Sequence, residues 1–240
     1  MVIEGFRRSY EVFMSPLAKA LSFIPPDMFS LLSLLFALLA GGLYFSAHLW
    51  VPADRYPWLL LLAMGAVGLN GLADTMDGRV ARLIGKTSAV GDFLDHTFDR
   101  FSDIAILVGI AFSTYCSMVF GLLAVISVLL SSYMGTQAQA LGCKRNYSGV
   151  LSRADRMILL MVVTPLQFLL QAIWGTTGVK FFGYLHRFTP LEILMGVMLV
   201  GGIITTLTRG WDTYKALKER GNGEGPSARR GPPRKKDQGR

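Results

Sequence analysis

The chain has 240 residues, 52% of them hydrophobic, and a formal net charge of +8. Its mean hydropathy of +0.43 is too high for an ordinary soluble domain, so the composition predicts an integral membrane protein. The positive charge does not indicate a nucleic-acid-binding protein, because the basic residues cluster between apolar segments and in the C-terminal tail.

The N-terminal segment, residues 1–24, mixes apolar and charged side chains in a helical pattern. We expect an amphipathic helix that lies along the membrane surface and is broken or kinked near Pro16. The uncharged residues 28–45 follow a Pro-Pro-Asp sequence and are predicted to form the first membrane span.

Residues 57–84 are predicted to form a long second helix that is apolar in its first half and polar in its second half. Residues 85–90 form a short turn, so a third helix over residues 91–115 must run antiparallel to the second. The resulting hairpin brings together two pairs of aspartates that these helices carry.

The two pairs are Asp74 with Asp77 and Asp95 with Asp99. Spacings of three and four residues put the members of each pair on one face of a helix. Four ionised carboxylates close together in a membrane repel one another and lose hydration, so the arrangement indicates bound cations. All-oxygen ligation favours Mg²⁺, with Mn²⁺ as a substitute, and such metals keep positions for the phosphates of a substrate.

Three further spans are predicted in the C-terminal half, over residues 119–141, 157–174 and 190–207. The expected fold is therefore an all-α integral membrane protein with six transmembrane helices and an N-terminal amphipathic surface helix. The tail is rich in Gly, Pro, Arg and Lys and is predicted to be disordered. We divide the chain into a juxtamembrane segment (1–24), a six-helix membrane domain (25–218) and a basic tail (219–240).

The basic residues also predict the orientation of the chain. Twenty of the 24 Lys and Arg residues fall on the side that carries the aspartate pairs, and three fall on the opposite side. This bias predicts a multi-pass protein of the cell membrane with both termini and the aspartate site on the cytoplasmic side. The basic tail there would attract anionic lipid headgroups.

Small residues and one arginine accompany the aspartates. Gly78 and Ala81 remove bulk from the helix face where a nucleotide would approach, and Arg82 can pair with a diphosphate. Helix packing explains the small residues equally well, and a topology-setting role explains the arginine. Asn70, Asp92 and Asp103 lie within two turns of these residues and are interpreted as supporting or packing groups.

Together with Gly91, these residues match the pattern D-x2-D-G-x2-A-R-x8-G-x3-D-x3-D at all eight fixed positions. The pattern resembles the signature of the CDP-alcohol phosphatidyltransferase family. The resemblance implies an enzyme that moves a phosphatidyl or archaetidyl group from a CDP-activated lipid to a hydroxyl of a polar acceptor and releases CMP. It also implies a two-metal Mg²⁺ site and a homodimer.

The resemblance further implies a division of labour among the motif residues. Asp99 would be the general base and would also touch metal, and the other three aspartates would be metal ligands. The nucleotide side of the site would be formed by Gly78, Ala81, Arg82 and Gly91.

A basic loop, residues 142–156, indicates the chemical class of the acceptor. Its cations suit a phosphorylated acceptor, although positive-inside bias explains the same charges. The stretch from Ser152 to Arg156 resembles the start of the fifth helix in phosphatidylinositol-phosphate synthases and their archaeal counterparts, which implies inositol 1-phosphate. Glycerol 3-phosphate is the main alternative, ahead of serine or an uncharged alcohol. The candidate phosphate-binding residues are Lys144, Arg145, Arg153 and Arg156.

Two alternatives come from other classes of protein. An ion-coupled transporter would also place aspartates in the membrane, but such folds carry inverted repeats and broken helices, and neither is visible here. A purely structural membrane protein would need more counter-cations than the second and third helices offer their aspartates.

Overall fold

The computed structural model describes residues 14–49, 58–85, 88–143, 148–180 and 187–221. Parts of several predictions lie outside the described residues: the start of the amphipathic segment, Lys144 and Arg145 of the basic loop, and the tail beyond residue 221.

Long helices dominate the described part of the chain. The helices are α1 (14–20), α2 (Pro26–Leu49), α3 (Trp58–Leu83), α4 (Ala89–Ala111), α5 (Met118–Ala140), α6 (Arg153–Trp174) and α7 (Pro190–Gly221). Two short strands, β1 (Val179–Lys180) and β2 (Arg187–Phe188), pair antiparallel between α6 and α7. The structure confirms the predicted all-α integral membrane fold.

Five of the described helices, α2, α3, α5, α6 and α7, are long and apolar enough to cross a membrane. The third predicted span corresponds to α4, which has a similar length of 23 residues. It differs in composition, because five of its side chains are charged: Asp92, Asp95, Asp99, Arg100 and Asp103. Four of these side chains line the cavities of the candidate site and Asp103 pairs with Arg156, so α4 is the sixth long helix of the bundle although it does not match the composition of a simple span.

Helix α2 ends four residues after the predicted residue 45, and α4 ends four residues before the predicted residue 115. Two boundaries in the C-terminal half also differ from the sequence-based prediction. The fifth span begins at Arg153 instead of residue 157, because Ser152 and Asp155 form a capping box that satisfies the first backbone N–H groups. The sixth span does not end at residue 207. It continues as α7 to Gly221, past the predicted domain boundary at residue 218, because residues 208–220 are polar but compatible with a helix.

Helix α1 packs against the hairpin of α2 and α3. Met14 and Ala18 are buried in a small cluster with Phe29 of α2 and with Met76 and Val80 of α3. The described part of the N-terminal segment is therefore helical and has one apolar face covered by protein, next to the turns of α3 that carry the first aspartate pair.

In the bundle core, α2 packs against both α3 and α4, α5 packs against α7, and α6 contacts α3 and α7. Side-chain hydrogen bonds inside the apolar core connect different helices. The Tyr44 hydroxyl lies 2.6 Å from the Thr164 hydroxyl, and the Asn70 amide donates to the backbone carbonyl of Ser33 at 2.8 Å. In a membrane such bonds satisfy polar groups that lipid cannot.

Buried polar groups close the end of the bundle opposite the aspartates. The Tyr115 hydroxyl donates to Gln171 at 2.8 Å, and the Glu192 carboxylate accepts from the backbone N–H of Ser117 at 3.0 Å. Burial raises the pKa of Tyr115 to about 12, so its hydroxyl stays protonated and remains a donor. Burial and the nearby Glu192 likewise raise the pKa of the Cys116 thiol to about 12, which makes this free cysteine unreactive.

Helices α2 and α4 approach each other closely at a pair of glycines. A Cβ added at Gly41 would collide with the Ala105 carbonyl oxygen, and one added at Gly109 would collide with the backbone of Gly41. Such small-residue contacts let membrane helices pack backbone to backbone. This contact fixes the position of α4, and with it the second aspartate pair.

Gly41→Ala is expected to destabilise the protein, because the added methyl group forces α2 and α4 apart. Overpacking of this kind costs about 1–3 kcal/mol, which corresponds to a fall of roughly 2–12 °C in the thermal midpoint. The measurement is thermal unfolding in detergent, with Gly42→Ala as the matched control. Among the described residues, no heavy atom outside the adjoining part of α2 itself lies within 4 Å of a Cβ at Gly42, so an equal loss in both variants would contradict the packing role.

Candidate active site

The hairpin of α3 and α4 brings the two aspartate pairs together, as their spacing predicts. One carboxylate oxygen from each of Asp74, Asp77 and Asp95 lies within 4.8 Å of the other two. Asp74 and Asp95 are partly exposed, and Asp77 is buried, with 8% of its surface accessible. Three convergent carboxylates at a half-buried position form the donor set that a hard divalent cation prefers.

Helix α2 supports the buried member of this group. The Ser30 hydroxyl donates to Asp77 Oδ2 at 2.7 Å, and the backbone N–H of Gly78 is directed at Asp77 Oδ1. These contacts orient the carboxylate without neutralising it, so its charge remains available to a cation.

His96 joins the second aspartate pair. One of its ring nitrogens lies within 4.8 Å of carboxylate oxygens of Asp95 and Asp99, and its Nδ1 is 3.5 Å from Asp95 Oδ2. The sequence offered no reason to assign it a site role, because it falls at an unspecified position of the motif. In the structure it is a polar neighbour of both aspartates.

A cavity of about 230 Å³ opens beside Asp77 and Asp95, and we call it the aspartate cavity. It is lined by the residues that the sequence assigned to the nucleotide: Gly78, Ala81, Arg82 and Gly91. The Arg82 guanidinium lies over Gly78, since a Cβ at Gly78 would be 3.7 Å from Arg82 NH1. Asp27, at the start of α2, also lines this cavity and adds a carboxylate that the motif does not contain.

Arg153, from the first turn of α6, lies between the two aspartate pairs. Its NH1 is 2.6 Å from Asp74 Oδ2 and 2.7 Å from Asp99 Oδ1. Both contacts have the length of charge-assisted hydrogen bonds. The residue predicted to bind an acceptor phosphate therefore contacts a predicted metal ligand and the predicted base directly.

Asp103 lies one helical turn beyond Asp99 and is almost fully buried, with 1% of its surface accessible. Its Oδ2 accepts from Arg156 NH2 at 2.6 Å, and its Oδ1 is 3.6 Å from Arg153 Nε. Arg100 NH1 approaches the same carboxylate at 3.7 Å. Three arginines thus converge on one buried aspartate.

A second cavity, of about 330 Å³, lies on the other side of Asp99, and we call it the arginine cavity. Its charged lining consists of Asp99, Arg100, Arg153, Arg156 and Arg209. Arg209 of α7 is held there by hydrogen bonds to the carbonyl oxygens of Ser148 and Ser131, at 2.8 Å and 2.7 Å. In the sequence Arg209 contributes only to the count of cytoplasmic charges, because nothing local indicates that α7 continues past its apolar part and packs there against α5 and α6.

The structure thus brings together most of the residues that the sequence singled out. The four motif aspartates meet at one end of the bundle, with the nucleotide residues on one side and Arg153 and Arg156 on the other. Lys144 and Arg145 lie outside the described residues. Sequence reasoning missed three contributors, namely Asp27, Ser30 and Arg209.

Comparison with known proteins gives a match over most of the chain. A sequence model of the CDP-alcohol phosphatidyltransferase family matches residues 23–207. The chain is 28% identical to an archaetidylinositol phosphate synthase of Methanothermobacter thermautotrophicus, over 82% of this chain and 94% of that protein. It is 29% identical to a phosphatidylinositol phosphate synthase of Cutibacterium acnes, over 87% of this chain and 95% of that protein.

Solved structures share the fold. A crystal structure of the phosphatidylinositol phosphate synthase of Mycobacterium tuberculosis in complex with manganese and citrate is 21% identical, with a TM-score of 0.64 over 83% of this chain and 88% of that chain. A structure of the same protein with CDP-DAG bound has a TM-score of 0.59 and 22% identity, over 83% of this chain and 92% of that chain. These comparisons give no support to a transporter or a purely structural protein.

Proposed function

The chain belongs to the CDP-alcohol phosphatidyltransferase family, and from that premise we propose that its acceptor is inositol 1-phosphate. The reaction would join the phosphatidyl or archaetidyl phosphate of a CDP-activated lipid to a hydroxyl of the acceptor and release CMP. Curated relatives that match over most of their length are named phosphatidylinositol or archaetidylinositol phosphate synthases, which supports this choice.

A divalent cation fits the carboxylates of α3 and α4. Asp74, Asp77 and Asp95 supply oxygen donors within 4.8 Å of one another, and Asp99 is the fourth carboxylate that we assign to this group. Mg²⁺ or Mn²⁺ bound there would stabilise negative charge on the transferring phosphate and the leaving oxygen. Within the described residues, the cation closest to Asp74 and Asp99 is Arg153, at 2.6 Å and 2.7 Å.

The CDP group is assigned to the aspartate cavity. Gly78 and Gly91 leave its wall open to the close approach of a nucleotide, and Arg82 offers a guanidinium for the diphosphate. The cavity opens beside Asp77 and Asp95, so a diphosphate there would lie within reach of the carboxylate group.

The observation that carries the acceptor assignment is the composition of the arginine cavity. Asp99, the proposed general base, shares this cavity with Arg153, Arg156 and Arg209. A phosphorylated acceptor bound by the arginines would place its hydroxyl group near a carboxylate that can remove its proton. An uncharged alcohol would make no ionic contact with these guanidinium groups.

The test is CMP release by the purified protein in detergent with Mg²⁺ and a CDP-lipid. Inositol 1-phosphate, glycerol 3-phosphate, serine and free inositol are supplied separately, with both ester- and ether-linked lipids. Release with inositol 1-phosphate alone is the expected result. Release with glycerol 3-phosphate alone would overturn the acceptor assignment and leave the family reaction intact.

Arg153→Ala is expected to raise the KM for the acceptor roughly tenfold or more, because hydrogen bonds to charged groups contribute about 1.5–3 kcal/mol. The KM for the CDP-lipid should change little. The variant should also bind Mn²⁺ more tightly in calorimetric titrations, since the guanidinium no longer competes for Asp74 and Asp99. Lys215→Ala removes an exposed cation of α7 as a control, and equal changes in both KM values would contradict the acceptor role.

Three further features remain proposals. We assign the site and both termini to the cytoplasmic side because of the distribution of basic residues; the aspartate end of the bundle also carries the C-terminal part of α7. A homodimer is proposed on the family resemblance alone. The division into juxtamembrane segment, membrane domain and tail is retained, with the end of the membrane domain moved to Gly221.

A further inference from the structure

Asp103 is the buried charged group that the proposed reaction leaves without a role. It lies outside the D-x2-D-G-x2-A-R-x8-G-x3-D-x3-D pattern and contacts neither cavity. Helix periodicity puts it on the same face of α4 as Asp99, one turn deeper in the bundle. Burying a carboxylate in a membrane protein costs free energy unless it is paired, so its partners indicate what it does.

Those partners are the arginines of the arginine cavity. Arg156 NH2 donates to Asp103 Oδ2 at 2.6 Å. Arg153 Nε lies 3.6 Å from Asp103 Oδ1. Because a guanidinium is a rigid plane with fixed N–H directions, a contact on one edge determines where the other edges point. Asp103 therefore sets the direction of Arg156 through a hydrogen bond. It adds an ionic contact at the Nε edge of Arg153, whose NH1 is held by Asp74 and Asp99.

Each of these arginines keeps a buried N–H group that has no hydrogen-bond partner in the described part of the chain. The atoms are Nε and NH2 of Arg153 and Nε of Arg156. Buried donors of this kind cost about 1–3 kcal/mol when they stay unsatisfied, so they indicate a ligand that accepts from them. Both residues line the arginine cavity, where an acceptor phosphate is proposed to bind.

We propose that Asp103 is a positioning residue of the acceptor site, which holds the Arg153 and Arg156 guanidiniums so that their free N–H groups bind the acceptor phosphate. The proposal rests on the proposed function, in that it needs a phosphorylated acceptor, but it does not depend on which one. Asp103 acts through the arginines and does not touch the substrate.

A structural role for Asp103 makes a different prediction. If the carboxylate only neutralised buried arginines, its loss would lower the yield and stability of the folded enzyme and leave the KM values unchanged. A positioning role predicts that the KM for the acceptor rises while kcat and the KM for the CDP-lipid stay close to those of the parent protein.

The experiment is steady-state CMP release by Asp103→Asn, normalised to the amount of folded protein. The expected result is a rise of roughly ten- to hundredfold in the KM for the acceptor, with a change of less than about twofold in the KM for the CDP-lipid. Glu219→Gln is the matched control, because it removes a negative charge from an exposed position near the end of α7, and it should change neither KM. Inorganic phosphate, used as a competitive inhibitor, should lose potency in Asp103→Asn by a similar factor.

Asp103→Glu provides a second variant if Asp103→Asn does not fold. It keeps the charge but displaces the carboxylate by one methylene group, so the arginines stay neutralised while their direction changes. A raised KM for the acceptor in Asp103→Glu would support positioning. Unchanged KM values in a folded variant, or failure of both variants to fold, would assign Asp103 to stability and overturn the proposal.

The two proposals fail in different ways. If the parent protein uses glycerol 3-phosphate in place of inositol 1-phosphate, the acceptor assignment is wrong, and the Asp103 variants are then measured with glycerol 3-phosphate. If the parent protein uses only an unphosphorylated acceptor and inorganic phosphate does not inhibit it, both proposals are wrong.

Discussion

Asp99→Asn is expected to abolish CMP release while the protein continues to bind the CDP-lipid. We assign Asp99 as the general base, and loss of such a base typically costs about 10²–10⁴ in rate. Asparagine has nearly the same shape and still offers an oxygen to Arg153, which lies 2.7 Å from Asp99. The change therefore removes the proton acceptor with little change in packing. Turnover of a radiolabelled CDP-lipid measures the rate, and calorimetric titration with CMP measures nucleotide binding.

The control for this experiment is Glu219→Gln, which removes one negative charge from an exposed position near the end of α7. It should leave both turnover and binding unchanged. If Asp99→Asn retained more than about a tenth of the parent turnover, the base assignment would be wrong. If it lost CMP binding in parallel with turnover, Asp99 would act mainly as a ligand of the metal.

Asp95→Asn is expected to have the second largest effect. Asp95 belongs to both groups of possible metal ligands, one with Asp74 and Asp77 and the other with His96 and Asp99. A metal contributes several kcal/mol to charge stabilisation, so losing a ligand common to both groups should lower turnover roughly a hundredfold or more. The concentration of Mg²⁺ that gives half-maximal activity should rise as well.

Two measurements separate this effect from a general loss of structure. Mn²⁺ affinity measured by calorimetry should fall in Asp95→Asn and stay constant in Asp155→Asn, whose changed side chain lies on the exposed surface of α6. Addition of a chelator should stop turnover of the parent protein, and Mg²⁺ or Mn²⁺ should restore it. Parent activity that persisted in the chelator would argue against a metal role for all four aspartates.

The α3–α4 hairpin could be predicted from sequence because its determinants are local. The short turn after residue 84 and the three- and four-residue spacing of the aspartates fix which side chains face each other. Ser88 begins α4 by accepting from the Gly91 N–H at 3.0 Å, and serine is one of the residues preferred at this capping position. Asp74, Asp77 and Asp95 therefore meet as expected.

The arginine side of the site could not be predicted in the same way. Arg156 meets Asp103 across 53 positions of sequence, and Arg209 reaches the cavity only because α7 packs beside α5 and extends beyond the apolar span. Such contacts depend on how the helices pack, which residue periodicity does not determine. The start of α6 was predicted four residues late because hydropathy indicates where a helix enters the membrane, whereas Ser152 determines where the helix begins.

The aspartate cavity and the arginine cavity share no lining residue. One is lined by Asp77 and Asp95 and the other by Asp99, so with the proposed assignments each substrate would have its own approach to the carboxylates. Neither substrate would have to depart before the other arrives, and both could be present when the new bond forms. This architecture suits direct transfer through a ternary complex, and it removes the need for a side chain to carry the lipid phosphate between two half-reactions.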